Sequence, residues 1–493
     1  MTTIELKNAI TKKPDWAMAE PVNFSLEEGE HIAIIGRNGA GKSMFVDMIT
    51  GRHPSFPGMV KYNFDEPYNN IRHITFRDTY GGDNDRTYFL QQRWNQMEID
   101  EETPTVGSKL EEAYQLAGED TPERQALRKH IYDIFHLEPL LDKYIILLSS
   151  GELRKYKLAS SLFTQPKVLI MENPFIGLDA QTRDQLKELL ATLSREHQLQ
   201  IVLVLAKTDE IPEFITHIVE VRDMRVLPKV AHGGQTLSNP LRYSQKGQSP
   251  CALSEEKRLA ILGLPDGEDT ANEIIRFNKV SIRYGERTIL KDLDWTVMHG
   301  ERWSLSGQNG SGKSTLLSLV CADNPQSYAC DISLFGHKRG SGESIWDIKR
   351  HIGYVSPEMH RSYRQDIPAI RIVASGLKDS VGLYIKPNEE EYAVCRWWMD
   401  IFGIGHLADR TFLKMSSGEQ RLVLLARAFV KDPDLLILDE PLHGLDDVNR
   451  RLVNEIIEAF CQRKDKTLIF VTHYQDELPS VITNSIYLER HTS

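Results

Sequence analysis

Cysteine is scarce in this chain. The 493 residues hold five, Cys251, Cys321, Cys330, Cys395 and Cys461, with no CxxC pair and no spacing that would gather ligands around zinc. That excludes a disulfide scaffold and a zinc module, and leaves scattered reduced thiols of the cytosolic kind. Long apolar runs are also missing. No segment approaches the roughly 20 apolar residues needed to span a bilayer, and the first residues carry no apolar leader core. A cytoplasmic protein with no membrane span is expected; if it acts on a membrane, it must do so through a partner. Nor is there an excess of positive charge: 59 Lys and Arg face 70 Asp and Glu, for a net charge of -11. A nucleic-acid clamp would show a basic surface, so nucleic acid is not an expected partner.

What is present is globular. The chain is 41% hydrophobic and 26% charged, and it is too long for one ordinary core. Much of it is written twice. The stretch LIMENPFIGLD from Leu169 to Asp179 matches LILDEPLHGLD from Leu436 to Asp446 without a gap, at an offset of 267. LSSGE (Leu148 to Glu152) matches MSSGE (Met415 to Glu419) at the same offset, while HIAIIGRNGAGKS from His31 matches RWSLSGQNGSGKS from Arg302 at 271. A tandem duplication follows, with domains expected over 1–225 and 274–493. The join over 226–273 contains GGQTLSNP, QKGQSP and LPDGEDT, rich in loop formers, and a short helix is expected within Leu253 to Leu264. With five Lys and Arg against six Asp and Glu, this linker is nearly neutral. In each half, apolar strands alternate with helical stretches (around Thr105 to Leu141 and Pro387 to Ala408, then Leu153 to Phe163 and Leu422 to Phe429). That pattern predicts an α/β layered domain with a mainly parallel sheet.

Each half carries a phosphate cradle directly after an apolar strand. The first is GRNGAGKS, with Gly36, Asn38, Gly39, Gly41, Lys42 and Ser43. The second is GQNGSGKST, with Gly307, Asn309, Gly310, Gly312, Lys313, Ser314 and Thr315. Glycines at this spacing let the backbone curl so that several N–H groups face phosphate oxygens. The lysine then reaches the β and γ phosphates, and the serine hydroxyl reaches Mg²⁺. Ser149 with Gly151, and Ser416 with Gly418, open helices in the S-x-x-E pattern of a capping box. A serine at a helix start with bare N–H groups also suits an anion.

The series GQNGSGKST, MSSGEQ, LLILDEP, HGLD and VTH resembles that of the ATP-binding-cassette ATPases, once per half over nearly the whole chain. The resemblance implies two tandem cassettes of the P-loop type, each a parallel-sheet core with a helical subdomain, binding ATP and Mg²⁺. It also implies that the cassettes pair head to tail within the chain, so that Lys313 faces ATP with Ser149 and Lys42 faces ATP with Ser416. In the second half, Asp439 would hold Mg²⁺ through water and Glu440 would polarise the attacking water. His473 would contact the γ-phosphate, and Tyr284 would stack on adenine or serve as an ordinary strand aromatic. Asp446 would lie in the loop that addresses the opposite site. Glu358 stands where the family has a Mg²⁺-sensing glutamine. In the first half that glutamine is Gln92 (or Gln91), but the other positions depart. Glu172 replaces the aspartate, Asn173 replaces the catalytic glutamate, position 206 is alanine, and Trp16 is the nearest substitute for the adenine aromatic.

Asparagine neither accepts a proton nor carries charge, and losing a general base costs on the order of 10²–10⁴ in rate. One hydrolytic and one non-hydrolytic composite ATP site are therefore expected, against the alternative of a first half that binds nothing. Length, FLQQRWNQ, MENPFIGLD and VTHYQDELP further resemble tandem cassette proteins encoded beside bacterial molybdate-transport genes. That implies the energising subunit of a transport system, with integral-membrane subunits as partners. Gln92, Arg93 and Trp94 fall where such partners dock. The alternative is a soluble cassette protein acting on the ribosome. Those proteins carry a basic helical connector and keep both glutamates, which the neutral linker and Asn173 do not match.

Overall fold

Four strands set the architecture: Val168–Glu172, Gln200–Leu205, Leu435–Asp439 and Thr467–Val471. Apart from the acidic residues that end two of them, every residue in these strands is buried. Such unbroken apolar runs belong to central parallel strands covered on both faces. The computed structural model describes residues 1–75, 103–148, 150–175, 178, 180–196, 199–206, 211–232, 252–265, 271–284, 287–308, 310–357, 359, 363, 367–379, 386–474 and 477–489. Over these it forms two compact units, one of described residues up to His232 and one from Ala252 onward.

In the first unit the strands Ile71–Thr75, Val168–Glu172, Gln200–Leu205, Ile32–Ile35 and His217–Arg222 lie side by side in that order, all parallel. Val230–Ala231 and Arg225–Val226 add antiparallel edges to His217–Arg222. A small antiparallel sheet of Val22–Glu27, Thr2–Ala9 and Val60–Tyr62 packs nearby. The second unit repeats the plan with a parallel sheet in the order Ile352–Val355, Leu435–Asp439, Thr467–Val471, Arg302–Gly307, Asn484–Leu488. Its antiparallel sheet joins Arg287–Met298, Glu273–Tyr284, Asp331–Leu334 and His337–Lys338.

The two-residue period of a strand divides each sheet between two cores. Leu436, Leu438, Leu468 and Phe470 face the helical side, while Leu435, Ile437, Ile469 and Val471 face the antiparallel sheet. Leu169 and Met171, against Val168 and Ile170, do the same in the first unit. The helical side is built from Val106–Leu116, Pro122–Phe135 and Ser150–Leu162 in the first unit, and from Ala369–Ser375, Glu389–Ile401 and Ser417–Phe429 in the second. Side chains cap the starts of several of these helices. Thr105, Thr121 and Asn388 each accept a backbone N–H three residues on.

Within the stretch expected as a linker, Glu255–Leu262 forms the short helix, capped by Ser254. It lies on the second unit. Ile261 is buried in the helical-side core, Glu455 accepts from Leu253 N at 2.6 Å, and Arg463 donates to Pro265 O at 2.7 Å. The described cysteines Cys321, Cys330, Cys395 and Cys461 are free; Cys251 lies outside the described residues. Burial pushes the thiols of Cys395 and Cys461 up to about 12, which makes them inert.

Trp398 anchors the helical side of the second unit. It is 1% exposed and meets the rings of Phe402, Phe429 and Phe460 at 5.2–6.4 Å between centroids. Its neighbour Trp397 is part-buried against it. Trp398→Ala should cost about 3–5 kcal/mol, read as a lowered denaturation midpoint for the second unit, whereas Trp397→Ala should cost clearly less.

Candidate functional site

The site is assembled where parallel strands end and loops begin. In each unit the strand carrying the Gly-rich loop is separated from the strand ending in acid by one further strand. Gly36 and Gly307 adopt φ of 154° and 153°. A Cβ there would come within 2.2 Å of Val221 O or 2.5 Å of Leu488 O, so no larger residue fits. Gly41 and Gly312, at φ 103° and 97°, turn the chain into the helices Lys42–Ile49 and Lys313–Val320. Both lysines fold back onto their own loops. Lys42 Nζ donates to Gly36 O and Arg37 O at 2.6 and 2.9 Å, and Lys313 Nζ donates to Gly307 O and Gln308 O at 2.7 and 2.9 Å. The two cradles are therefore equivalent, each with an ammonium that phosphate oxygens can draw off.

The strand ends are equivalent in backbone and different in chemistry. Asn173 and Glu440 sit at φ 48° and 50°, in the left-handed region. Their N–H groups donate to Val204 O and Val471 O at 2.8 and 2.9 Å. Asparagine tolerates this region well; a glutamate held there stores strain of order 1–3 kcal/mol. Glu440 is 5% exposed, and neither carboxylate oxygen has a hydrogen-bond partner. His473 Nε2 stands 3.5 Å from Oε1 and His443 Nε2 stands 3.9 Å from Oε2. Burial pushes the carboxyl well above its usual range, with Asp439 and Glu477 adding to the rise and Lys313 and Arg421 opposing it.

Behind this loop lies Arg421, which the sequence reading did not single out. Its guanidinium is buried, and burial pulls it down to about 10. It donates to the carbonyls of Pro441, Ser356 and Asp439 at 3.2, 3.1 and 2.8 Å, and to that of Glu440. Four carbonyls gathered on one cation fix the path of the chain from strand to loop. Arg154 holds the matching sequence position in the first unit and is 3% exposed. Alignment of the two halves shows the arginine pair, but not that the side chain points inward.

Other expected residues fall as follows. Ser416 accepts from Glu419 N at 3.3 Å and Glu419 accepts from Ser416 N at 2.8 Å, so the capping box is formed. Gly418 is buried beside it, and Gly151 lies against Thr182. Tyr284 ends its strand with its hydroxyl accepting from Asn324 at 3.1 Å. Trp16 stacks on His53 at 4.3 Å with a 6° interplanar angle, under the Lys13 ammonium. Asp446 caps the helix Asp447–Gln462 through Asn449 N. Glu172 has a histidine neighbour: His73 Nε2 approaches Oε1 at 3.3 Å, and the equivalent strand position in the second unit carries Tyr354. The spacing of the halves differs there by a loop, so alignment at a fixed offset does not reveal it. Gln91, Gln92, Arg93, Trp94, Ser149, Asn309, Glu358 and Asp179 lie outside the described residues.

The donors offered to a metal in the second unit, the Ser314 hydroxyl and the Asp439 carboxylate, are hard oxygens of the kind Mg²⁺ takes. The adjacent carboxylates of Asp439 and Glu440 make a site that a cation would relieve. Ser43 and Glu172 offer the same atom types in the first unit.

The ABC transporter family model matches residues 19–176 and 290–443. The chain is 35% identical over 493 residues to the ABC transporter ATP-binding protein ModF of Escherichia coli, covering 99% of this chain and 96% of that one. It is 28% identical to an uncharacterized ABC transporter ATP-binding protein of Schizosaccharomyces pombe, over 95% and 94% of the two chains. Among solved structures, the archaeal ribosome recycling factor aABCE1, in complex with the stalk protein aP1, shares the fold. The TM-score is 0.53 with 17% identity, covering 97% of this chain and 87% of that one.

A carboxyl raised in the folded state stabilises the fold below its ordinary value of 4.5 and loses that contribution as pH rises. Glu440→Gln should therefore raise stability near neutral pH, seen as a higher unfolding midpoint than that of the parent protein. The gain should shrink on acidification and vanish near about pH 4, as read from thermal unfolding of both proteins across that range.

Proposed function

We propose, from the premise that the chain belongs to the ABC transporter family of ATP-binding proteins, that its two ATP sites divide the work. In this reading the second half cleaves the bond and the first half holds the nucleotide. The protein is a tandem ABC ATPase. The observation that carries the division is the pair Glu440 and Asn173, alike in φ and in backbone hydrogen bond and unlike in chemistry.

In the second half, Lys313 leaves its loop carbonyls for the β and γ phosphates. Glu440, short of hydrogen bonds, takes a water molecule as its partner and aligns it on the γ-phosphorus. As the water oxygen bonds to phosphorus, the bond to the β-phosphate oxygen breaks, ADP leaves, and the water proton passes toward the carboxylate. His473 steadies the γ-phosphate from the far side of Glu440. Ser314 and Asp439 would hold Mg²⁺, which supplies charge neutralisation on the phosphates when bound. In the first half Lys42 and its loop can grip triphosphate, but the Asn173 side chain offers no base and position 206 no imidazole.

The load we assign is a transport system, with this chain as a peripheral energising subunit on membrane partners. Support comes from the near full-length likeness to an ABC transporter ATP-binding protein and from the nearly neutral linker. No helix among the described residues is long and apolar enough to cross a membrane, so any membrane contact would run through a partner. Relation to molybdenum rests on likeness to ModF and belongs to the same proposal.

Glu440→Gln should lower ATP turnover by about 10²–10⁴ with nucleotide binding retained, whereas Asn173→Gln should keep most of it. After a single turnover, ADP should appear on a protein with its first cradle broken by Lys42→Ala and not on one broken by Lys313→Ala. Equal silencing by both carboxamide variants overturns the division. Co-purification of tagged protein with membrane subunits supports the transport assignment; sedimentation with ribosomes overturns it.

A further inference from the structure

The Glu440 carboxylate raises a problem that the assigned machinery does not solve. One oxygen faces His473 at 3.5 Å. The other is just as buried and equally without a hydrogen bond, and the side chain facing it is His443, with Nε2 at 3.9 Å. His443 is itself 10% exposed. Its place is set by a tight turn in which His443 N donates to Glu440 O at 3.2 Å, closed by Leu445 N to Leu442 O at 3.2 Å. Leu442 and Leu445, at 1% and 0% exposure, pin that turn to the core. Arg421 holds the carbonyls of Pro441 and Glu440 from behind. The histidine therefore has little freedom to leave the carboxylate.

The duplication supplies an internal control. At the offset of 267, Glu440, His443 and His473 correspond to Asn173, Ile176 and Ala206. The half that has lost the carboxylate carries neither imidazole. A histidine needed to shape the turn would have the same use in both halves, because the backbone at Asn173 and Glu440 is the same.

We propose that His443 is a positioning residue for the hydrolytic step, holding the second oxygen of Glu440 so that the first is aimed at the attacking water. The gap of 3.9 Å exceeds a hydrogen bond by about 1 Å, and such contacts tighten when substrate arrives. A glutamate side chain held at one oxygen cannot swing, and misplacement of a reacting group by about 1 Å is worth up to ~10²-fold in rate. The inference rests on Glu440 being the working carboxylate.

His443→Ile installs the residue of the first half. It should lower kcat for ATP about 10–100-fold and leave KM within about twofold. His443→Gln, which keeps an N–H donor on a side chain of similar reach, should restore most of that loss. In a Glu440→Gln background, His443→Ile should add nothing. Thermal unfolding and binding of a fluorescent ATP analogue, run on each variant, separate misfolding from lost positioning. An unchanged kcat in a folded His443→Ile protein, an effect confined to KM, or an equal loss in both His443 variants overturns the proposal. If Glu440→Gln alone leaves turnover intact, the assignment of Glu440 falls and this inference with it. If Glu440→Gln silences turnover and His443→Ile does not, the inference alone fails.

Discussion

A carboxylate kept out of water without a hydrogen bond is the constraint around which the second unit is organised. Burying such a group costs several kcal/mol if it stays charged, so the fold must compel it. The compulsion comes from the buried strand Leu435–Asp439, which delivers Glu440 at its end, and from Arg421, whose guanidinium binds the carbonyls of Asp439, Glu440 and Pro441 along the exit from that strand and that of Ser356 beside it. Glu440 leaves the strand in the left-handed region, with its carboxylate facing His473 and His443. What results is a base with a raised affinity for protons and an unmet demand for a hydrogen-bond donor, which water can meet.

The same frame in the first unit shows what becomes of the geometry without the demand. Asn173 keeps the φ and the backbone hydrogen bond of Glu440 and loses the charge. Its amide needs no desolvation offset and suits the left-handed region. The longer Glu172 then finds His73 at 3.3 Å. Burial also raises the nearby Asp47 carboxyl, which His53, Arg52 and His73 pull the other way. Phosphate cradle and sheet are intact, while the polar groups beneath them have been exchanged. The cradle depends on backbone N–H groups and glycine, which tolerate such exchange; bond cleavage, as proposed above, depends on one side chain, which does not.

Much of this could be read from the chain alone. The two Gly-rich loops, the S-x-x-E helix starts and the acid-ended apolar strands are local patterns whose physics is local: glycine for backbone approach, serine for a helix start, unbroken apolar runs for a central strand. Because the chain repeats itself, Asn173 against Glu440 and Ala206 against His473 could be paired by counting. The helices Glu389–Ile401 and Glu255–Leu262 fall within the stretches Pro387 to Ala408 and Leu253 to Leu264 that were expected to be helical.

Sequence by itself determined which residues the two halves exchange, since that is a matter of order along the chain. Tertiary structure decided what the exchanged residues meet. Arg421 reads as a surface cation on an amphipathic helix, and it is buried because strand, loop and helix converge on it. His73 pairs with Glu172 across two strands whose spacing in sequence differs between the halves. His443 reads as one more loop residue until a four-residue turn folds it over Glu440. Contacts of that kind arise between elements distant in sequence or within turns whose direction the core dictates, so no pattern of residue types along the chain contains them.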